Sequence, residues 1–160
     1  MNLLFFQEDF EKLKLRREEF RKLHREAGKA CGEACSQGAE TFHDNAPYEM
    51  ALKDQALYGG MLSDMDDMLR RAKVIQPEGP DGTVKIGRLV HVKDIIPDES
   101  YWVKLGSFWN DSPGKGTRDE PIHASYQSPI ARALMGKGIN DVVDYLIGRL
   151  KKKLKILEIC

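Results

Sequence analysis

Glu40 and Asp44 stand four residues apart in the stretch Gly38-Ala-Glu-Thr-Phe-His-Asp-Asn-Ala-Pro-Tyr48. Carboxylates are hard oxygen ligands and suit Mg²⁺, which takes about six ligands. No further acid lies close by in sequence, so these two form only part of such a site, and a partner must complete it. The plainer reading is a solvated turn, with Asp44 or Asn45 capping the following helix and Pro47 in its first turn. His43 in the same stretch can touch a phosphate or a partner's acid, or serve as an ordinary loop histidine.

Cys31 and Cys35, at i and i+4, have a spacing that can present two zinc ligands on one helical face. No matching Cys or His cluster follows, and the pair reads as small seam or surface residues. Arg16, Arg17, Arg21, Lys22 and Arg25 make a basic face that can follow an RNA backbone. A salt-bridged, solvated face is the alternative.

Long helices must carry these groups. Steps of four and three pick out Phe6, Phe10, Leu13, Arg17, Phe20, His24, Ala27, Cys31 and Ala34, seven of the nine apolar. After the acidic stretch the same rhythm gives Ala51, Asp54, Tyr58, Met61, Met65, Met68, Ala72 and Ile75. Two such stripes joined by a short turn predict an antiparallel coiled-coil hairpin, with helices over about 8–36 and 47–75. Its register sets Phe20 against Met65, His24 beside Met61, Ala27 against Tyr58 and Ala34 against Ala51. Asp64, Asp66 and Asp67 then fall near Arg16, Arg17, Arg21 and Lys22.

Gln76-Pro-Glu-Gly-Pro-Asp-Gly82 cannot continue a helix. It divides the chain into a coiled-coil domain, 1–78, whose acidic tip is 38–48, and a second domain, 79–160. The pattern then changes to strands at 85–92, 101–105, 122–126, 142–147 and 152–159, with a loop over 108–120. One helix interrupts them: Ser128 caps it, Pro129 takes its first position and Gly136 stops it. The fold class is α+β, a mostly antiparallel sheet packed on one short helix beside the hairpin.

Composition sets wider bounds. Lys+Arg and Asp+Glu number 25 each, so net charge points to no polyanionic partner. The local distribution says more, because residues 12–29 hold eight basic and three acidic side chains, whereas 33–54 hold one and five. No run of about 18 apolar residues exists to span a membrane, and Leu3-Leu4-Phe5-Phe6 is too short for a signal-peptide core. Three cysteines form no even disulfide framework. A reducing cytoplasm is expected, and a monomer.

Two motifs carry a family resemblance. Ser128-Pro-Ile-Ala-Arg-Ala-Leu-Met-Gly-Lys137 with Asn140-Asp-Val-Val143 resembles the late C-terminal signature of the bacterial GreA/GreB transcript-cleavage factors. Asp44-Asn-Ala-Pro-Tyr48, between two long helices, is similar to that family's tip motif. The resemblance covers nearly the whole chain. It implies a C-terminal FKBP-like domain docking at the secondary channel of RNA polymerase, with the coiled coil reaching toward the active centre. There, tip carboxylates help hold the second Mg²⁺ as the extruded 3′ end of the nascent RNA is hydrolysed. Asp44 and Glu40 are thus implied as the catalytic and metal-binding pair, no cofactor being bound by the factor alone. Asn45, Tyr48, Ser128, Pro129 and Arg132, together with Arg16, Arg17 and Arg21, are implied as polymerase or RNA contacts. Such a protein is a catalytic cofactor of the polymerase, not an independent enzyme.

One departure stands out. The family tip carries two acids three apart; Asp44 matches the second, but Thr41 occupies the position of the first, with Glu40 one residue earlier. This favours, as a rival, a non-cleaving or inhibitory regulator in the same channel. An FKBP-type peptidyl-prolyl isomerase is a rival from another class, and an open, apolar, aromatic-lined pocket would support it. A coiled-coil adaptor is a third.

Overall fold

The computed structural model describes residues 1–37, 46–79 and 81–160. They divide into two compact units, one of Met1 and Phe10–Ala72, the other of Asn2–Asp9 and Lys73–Cys160.

The first unit is a pair of long helices, α1 (Gln7–Gln37) and α2 (Ala46–Arg71). They run antiparallel. Arg17 pairs with Asp66, His24 lies against Gly59, and the Cys31 thiol donates to Gln55. The stripe expected on α1 is the observed one: each of its positions from Phe6 to Ala34 is buried or half-buried. On α2 two of the alternate positions of the seam shift by one residue. Ala51, Tyr58 and Met65 face inward as expected, and Met68 is half-buried together with Leu69, but Gln55 and Leu62 stand where Asp54 and Met61 were anticipated. Asp54 keeps its charge in water, and Gln55 offers a thiol acceptor in its place. Met61 is therefore 37% exposed rather than buried, whereas Met65 is 7% exposed. The Phe20 ring meets Tyr58, with ring centroids 6.1 Å apart. Asp67 pairs with Arg70 and Arg71 of its own helix and not with α1.

The second helix also stops earlier than expected. Residues 72–75 continue its periodicity, yet β2 (Ala72–Val74) pairs with β1 (Leu3–Phe5) as a two-stranded sheet. The β-branched Val74 and Ile75 suit a strand, and Ile75 N–H donates to Phe5 C=O at 2.8 Å. The contiguous division at residue 78 thus assigns residues 2–9 to the coiled coil, whereas they fold with the second unit. Phe108 N–H bonds Leu4 C=O, Leu4 N–H donates to the Tyr126 hydroxyl, and Phe6 N–H donates to the buried Ser107 hydroxyl, which in turn donates to Asp9.

The second unit is built on a five-stranded sheet in the order β5-β4-β3-β7-β6. These strands are β3 (Leu89–Asp94), β4 (Glu99–Gly106), β5 (Ile122–Ser125), β6 (Val142–Ile147) and β7 (Leu150–Ile159). All pairs are antiparallel except β4 with β5. Period-two burial sends Val90, Val92, Val103, Leu105, Leu154 and Ile156 to one face. There they meet Ala131 and Leu134 of α3 (Pro129–Leu134), which forms where the Ser-Pro start and the glycine stop predict it. Asp94 is the buried acid of this core. Its carboxylate accepts from Lys152 at 2.9 Å and from Ile96 N–H at 3.2 Å, so the buried charge is paired.

Candidate functional site

Glu40, Asp44 and Asn45 lie outside the described residues, as do Thr41 and His43. What the structure describes is the pair of helix ends that bound them. Pro47 sits in the first turn of α2, where a missing N–H costs little. Tyr48, next to it, turns back onto α1. Its phenol is held above the ordinary value, chiefly by the charge of the Cys35 thiolate, then by burial, the hydrogen bond with Cys35 and the charge of Cys31. The Cys31 thiol donates to Gln55 at 3.8 Å, and Cys35 lies close enough to Tyr48 to perturb its phenol. Among the described residues no three His, Cys, Asp or Glu side chains gather as a metal site.

The basic face of α1 is laced with acids. Arg17 bonds Asp66 at 2.8 Å across the hairpin and Glu18 at 2.7 Å, and its guanidinium is raised above its ordinary value, first by the Asp66 hydrogen bond and then by Glu18. Arg16 reaches Glu19 at 2.8 Å and lies over the Phe20 ring, and Arg21 stands 3.7 Å from Glu18. Among the described residues Arg25 and Lys29 make no ion pair, so the open cations lie on the half of α1 nearer its end.

In the second unit the Ser128–Lys137 motif splits by role. Ser128 caps α3, its hydroxyl accepting Ala131 N–H at 3.3 Å. Ala131 and Leu134 fill the core, while Pro129 and Arg132 of the same short helix remain exposed. Gly136 (φ +75°) and Asn140 (φ +71°) take the left-handed turns that follow. Asp141 holds that turn closed by accepting Gly138 N–H at 2.8 Å. Much of the motif therefore shapes the chain, and Pro129, Arg132 and Lys137 present side chains to solvent. A cavity of about 560 Å³ opens between Leu4, Ile75, Ile86 and Met135, and another of about 460 Å³ in the loop from Asp111 to His123. Neither is lined by Phe, Tyr or Trp. No helix among the described residues is long and apolar enough to cross a membrane.

Residues 79–160 match the family model described as transcription elongation factor, GreA/GreB, C-terminal. The transcription elongation factor GreA of Shouchella clausii is 33% identical over 127 residues, 76% of this chain and 75% of that one. GreA of Helicobacter hepaticus is 31% identical over 117 residues, 72% and 68% of the two chains. Among solved structures, the GreA factor homolog Gfh1 of Thermus thermophilus aligns over 100% of this chain and 99% of its own, at 21% identity and a TM-score of 0.45. The family match over the second half of the chain and the relatives above 30% identity lead to one conclusion: this chain belongs to the GreA/GreB family of transcription elongation factors.

Proposed function

We propose that this chain enters the secondary channel of RNA polymerase as a cytoplasmic monomer and stimulates hydrolysis of the 3′ RNA in backtracked complexes. What supports the reading is membership of the GreA/GreB family together with two carboxylates, Glu40 and Asp44, in the stretch between α1 and α2. A pair of carboxylates carried on such a hairpin fits a hard divalent ion by donor type, and the remaining ligands must come from the polymerase. Bound there, Mg²⁺ would share the charge that develops on the attacking and leaving oxygens. Asp44 supplies the stronger oxygen ligand in this reading, with Glu40 as its partner. Asn45 and Tyr48 set the start of α2, the arginines of α1 steady the hairpin beside the RNA, and Ser128, Pro129 and Arg132 belong to the docking half. The factor lends ligands and the polymerase performs the hydrolysis.

The test is RNA cleavage in a stalled, backtracked elongation complex. Wild-type protein should accelerate cleavage. Asp44→Asn, which keeps size and capping ability but loses the charge, should lower the stimulated rate by about 10²-fold, the scale of one electrostatic contact to a transition state. Raising Mg²⁺ should restore part of it by mass action. Undiminished cleavage by Asp44→Asn would remove the carboxylate from the mechanism. Thr41 in the place of a first acid favours a second reading, a regulator that occupies the channel without cleavage. Binding by the wild type with slowed elongation and no cleavage would select it. The isomerase reading gains no support from the two cavities described, whose walls lack the aromatic rings it calls for.

A further inference from the structure

Two of the three cysteines stand on one helix, and the function proposed above makes no use of them. Cys31 and Cys35 are about one turn apart near the end of α1, so their side chains leave the same face. Their surroundings differ. Cys31 is half-buried at the seam and its thiol donates to Gln55 at 3.8 Å, whereas Cys35 is exposed. Tyr48 of α2 lies close enough to both for their charge to perturb its phenol, Cys35 having the larger effect. A thiol open to solvent beside a sheltered one suits the roles of attacked and resolving sulfur.

Helix geometry brings the pair within reach of a bond and stops short of it. Cα atoms four residues apart in an α-helix are about 6 Å apart, inside the disulfide range of about 4.4–6.8 Å. Their Cβ atoms, about 5–6 Å apart, must close to about 3.5–4.5 Å, so the turn has to yield by roughly 1–2 Å. This turn has the means. Gly32 lies inside it with no atom within 4 Å of where a Cβ would stand, so packing does not require a glycine there. Glycine in a helix interior weakens the helix relative to alanine. α1 also ends at Gln37, two residues beyond Cys35, where its hydrogen bonds run out.

We propose that Cys31 and Cys35 are a site of reversible oxidation by peroxides, closing to a disulfide within α1. The Cys35 thiolate attacks the peroxide and takes one oxygen as sulfenic acid, while the other oxygen leaves with the electron pair of the O–O bond and is protonated. The Cys31 sulfur then attacks Cys35. The S–S bond forms, and the sulfenic oxygen leaves as water with the Cys31 proton. The peroxide is thereby reduced by the two electrons that the thiols give up. A disulfide held in a distorted turn is more readily reduced than a relaxed one, so small thiols return the pair to its resting form. Closure takes the Cys31 donor from Gln55 and draws in the last turn before the stretch that carries Glu40 and Asp44. Its effect on RNA cleavage rests on the function proposed above.

Full-length Cys160→Ser, which keeps only this pair of thiols, is treated with hydrogen peroxide to test this. Both thiols should be lost together without a linked dimer, and the tryptic peptide 30–53, which holds both cysteines, should be lighter by two hydrogen atoms. Dithiothreitol should reverse both changes. In Cys31→Ser/Cys160→Ser the reaction should stop at a sulfenic acid on Cys35, trapped by dimedone. Gly32→Ala/Cys160→Ser should close about threefold more slowly, because the turn is stiffer. Oxidised Cys160→Ser should stimulate RNA cleavage about 10-fold less than its reduced form, since misplacement on the ångström scale is costly. A Cys35 that stops at sulfenic acid in Cys160→Ser, or links a second molecule, overturns the disulfide. Equal closure in Gly32→Ala/Cys160→Ser overturns the yielding turn, and equal cleavage by the oxidised and reduced forms overturns the effect on function. If the reduced protein does not stimulate cleavage, the functional reading fails, and the mass of the peptide still decides the disulfide.

Discussion

The hydroxyl of Ser128 accepts the Ala131 N–H while its backbone carbonyl receives Arg132 N–H at 3.0 Å, so the residue closes the first turn of a helix only six residues long. So short a helix has little propensity of its own and depends on its cap and on the burial of Ala131 and Leu134. Ser128→Ala should therefore cost about 1 kcal/mol, read as a lower denaturation midpoint, and Ser128→Asn should recover most of it. Loss of polymerase affinity in both variants, with stability regained only in the second, would mean that the hydroxyl itself touches the partner. This helix was legible in the sequence because cap, proline and glycine are local signals. The pairing of Tyr48 with Cys35 was not, since it depends on which faces of two distant helices meet.

At the scale of the element, the α1 seam could be read from periodicity, whereas α2 could not be phased by it. Asp54-Gln55, Met61-Leu62 and Met68-Leu69 each offer two neighbouring residues for one seam position, and an apolar count barely separates methionine from leucine. Packing against α1 decides, with Gln55 taken by Cys31 and Gly59 by His24. The consequence is a contrast between two methionines one turn apart. Met65→Asp would put an unpaired charge in the seam and should cost about 3 kcal/mol or more. Met61→Asp, at a largely exposed position, should stay within about 0.5 kcal/mol. Denaturant melts of the two variants check this directly. Equal losses would return Met61 to the seam and restore the phase first expected. The strand at 72–74 escaped the sequence reading for a related reason: its partner lies at the other end of the chain, and nothing within the local window contradicts a continuing helix.

At the scale of the molecule, the start of the chain belongs with residues that follow it by a hundred positions. Leu3 and Phe5 are 2% and 0% exposed, and the Phe5 ring meets Phe108 edge-on at 6.4 Å. Leu4 binds Phe108 and Tyr126 through its backbone, and Ser107, fully buried, relies on Phe6 and Asp9 for both of its hydrogen bonds. The second unit is thus completed by a strand that must arrive from before α1, and a fragment beginning at residue 79 would leave the Ser107 hydroxyl without either partner. Phe5→Ala removes a whole ring from a packed site and should cost about 3–5 kcal/mol. The loss should appear in the sheet, although the substitution lies at the front of the chain. Hydrogen exchange resolves this, with faster exchange expected at the β3 and β4 amides while the α1–α2 seam near Ala27 and Ala51 keeps its protection. Faster exchange confined to the two helices, with the sheet unchanged, would show that residues 2–9 serve the hairpin and not the sheet.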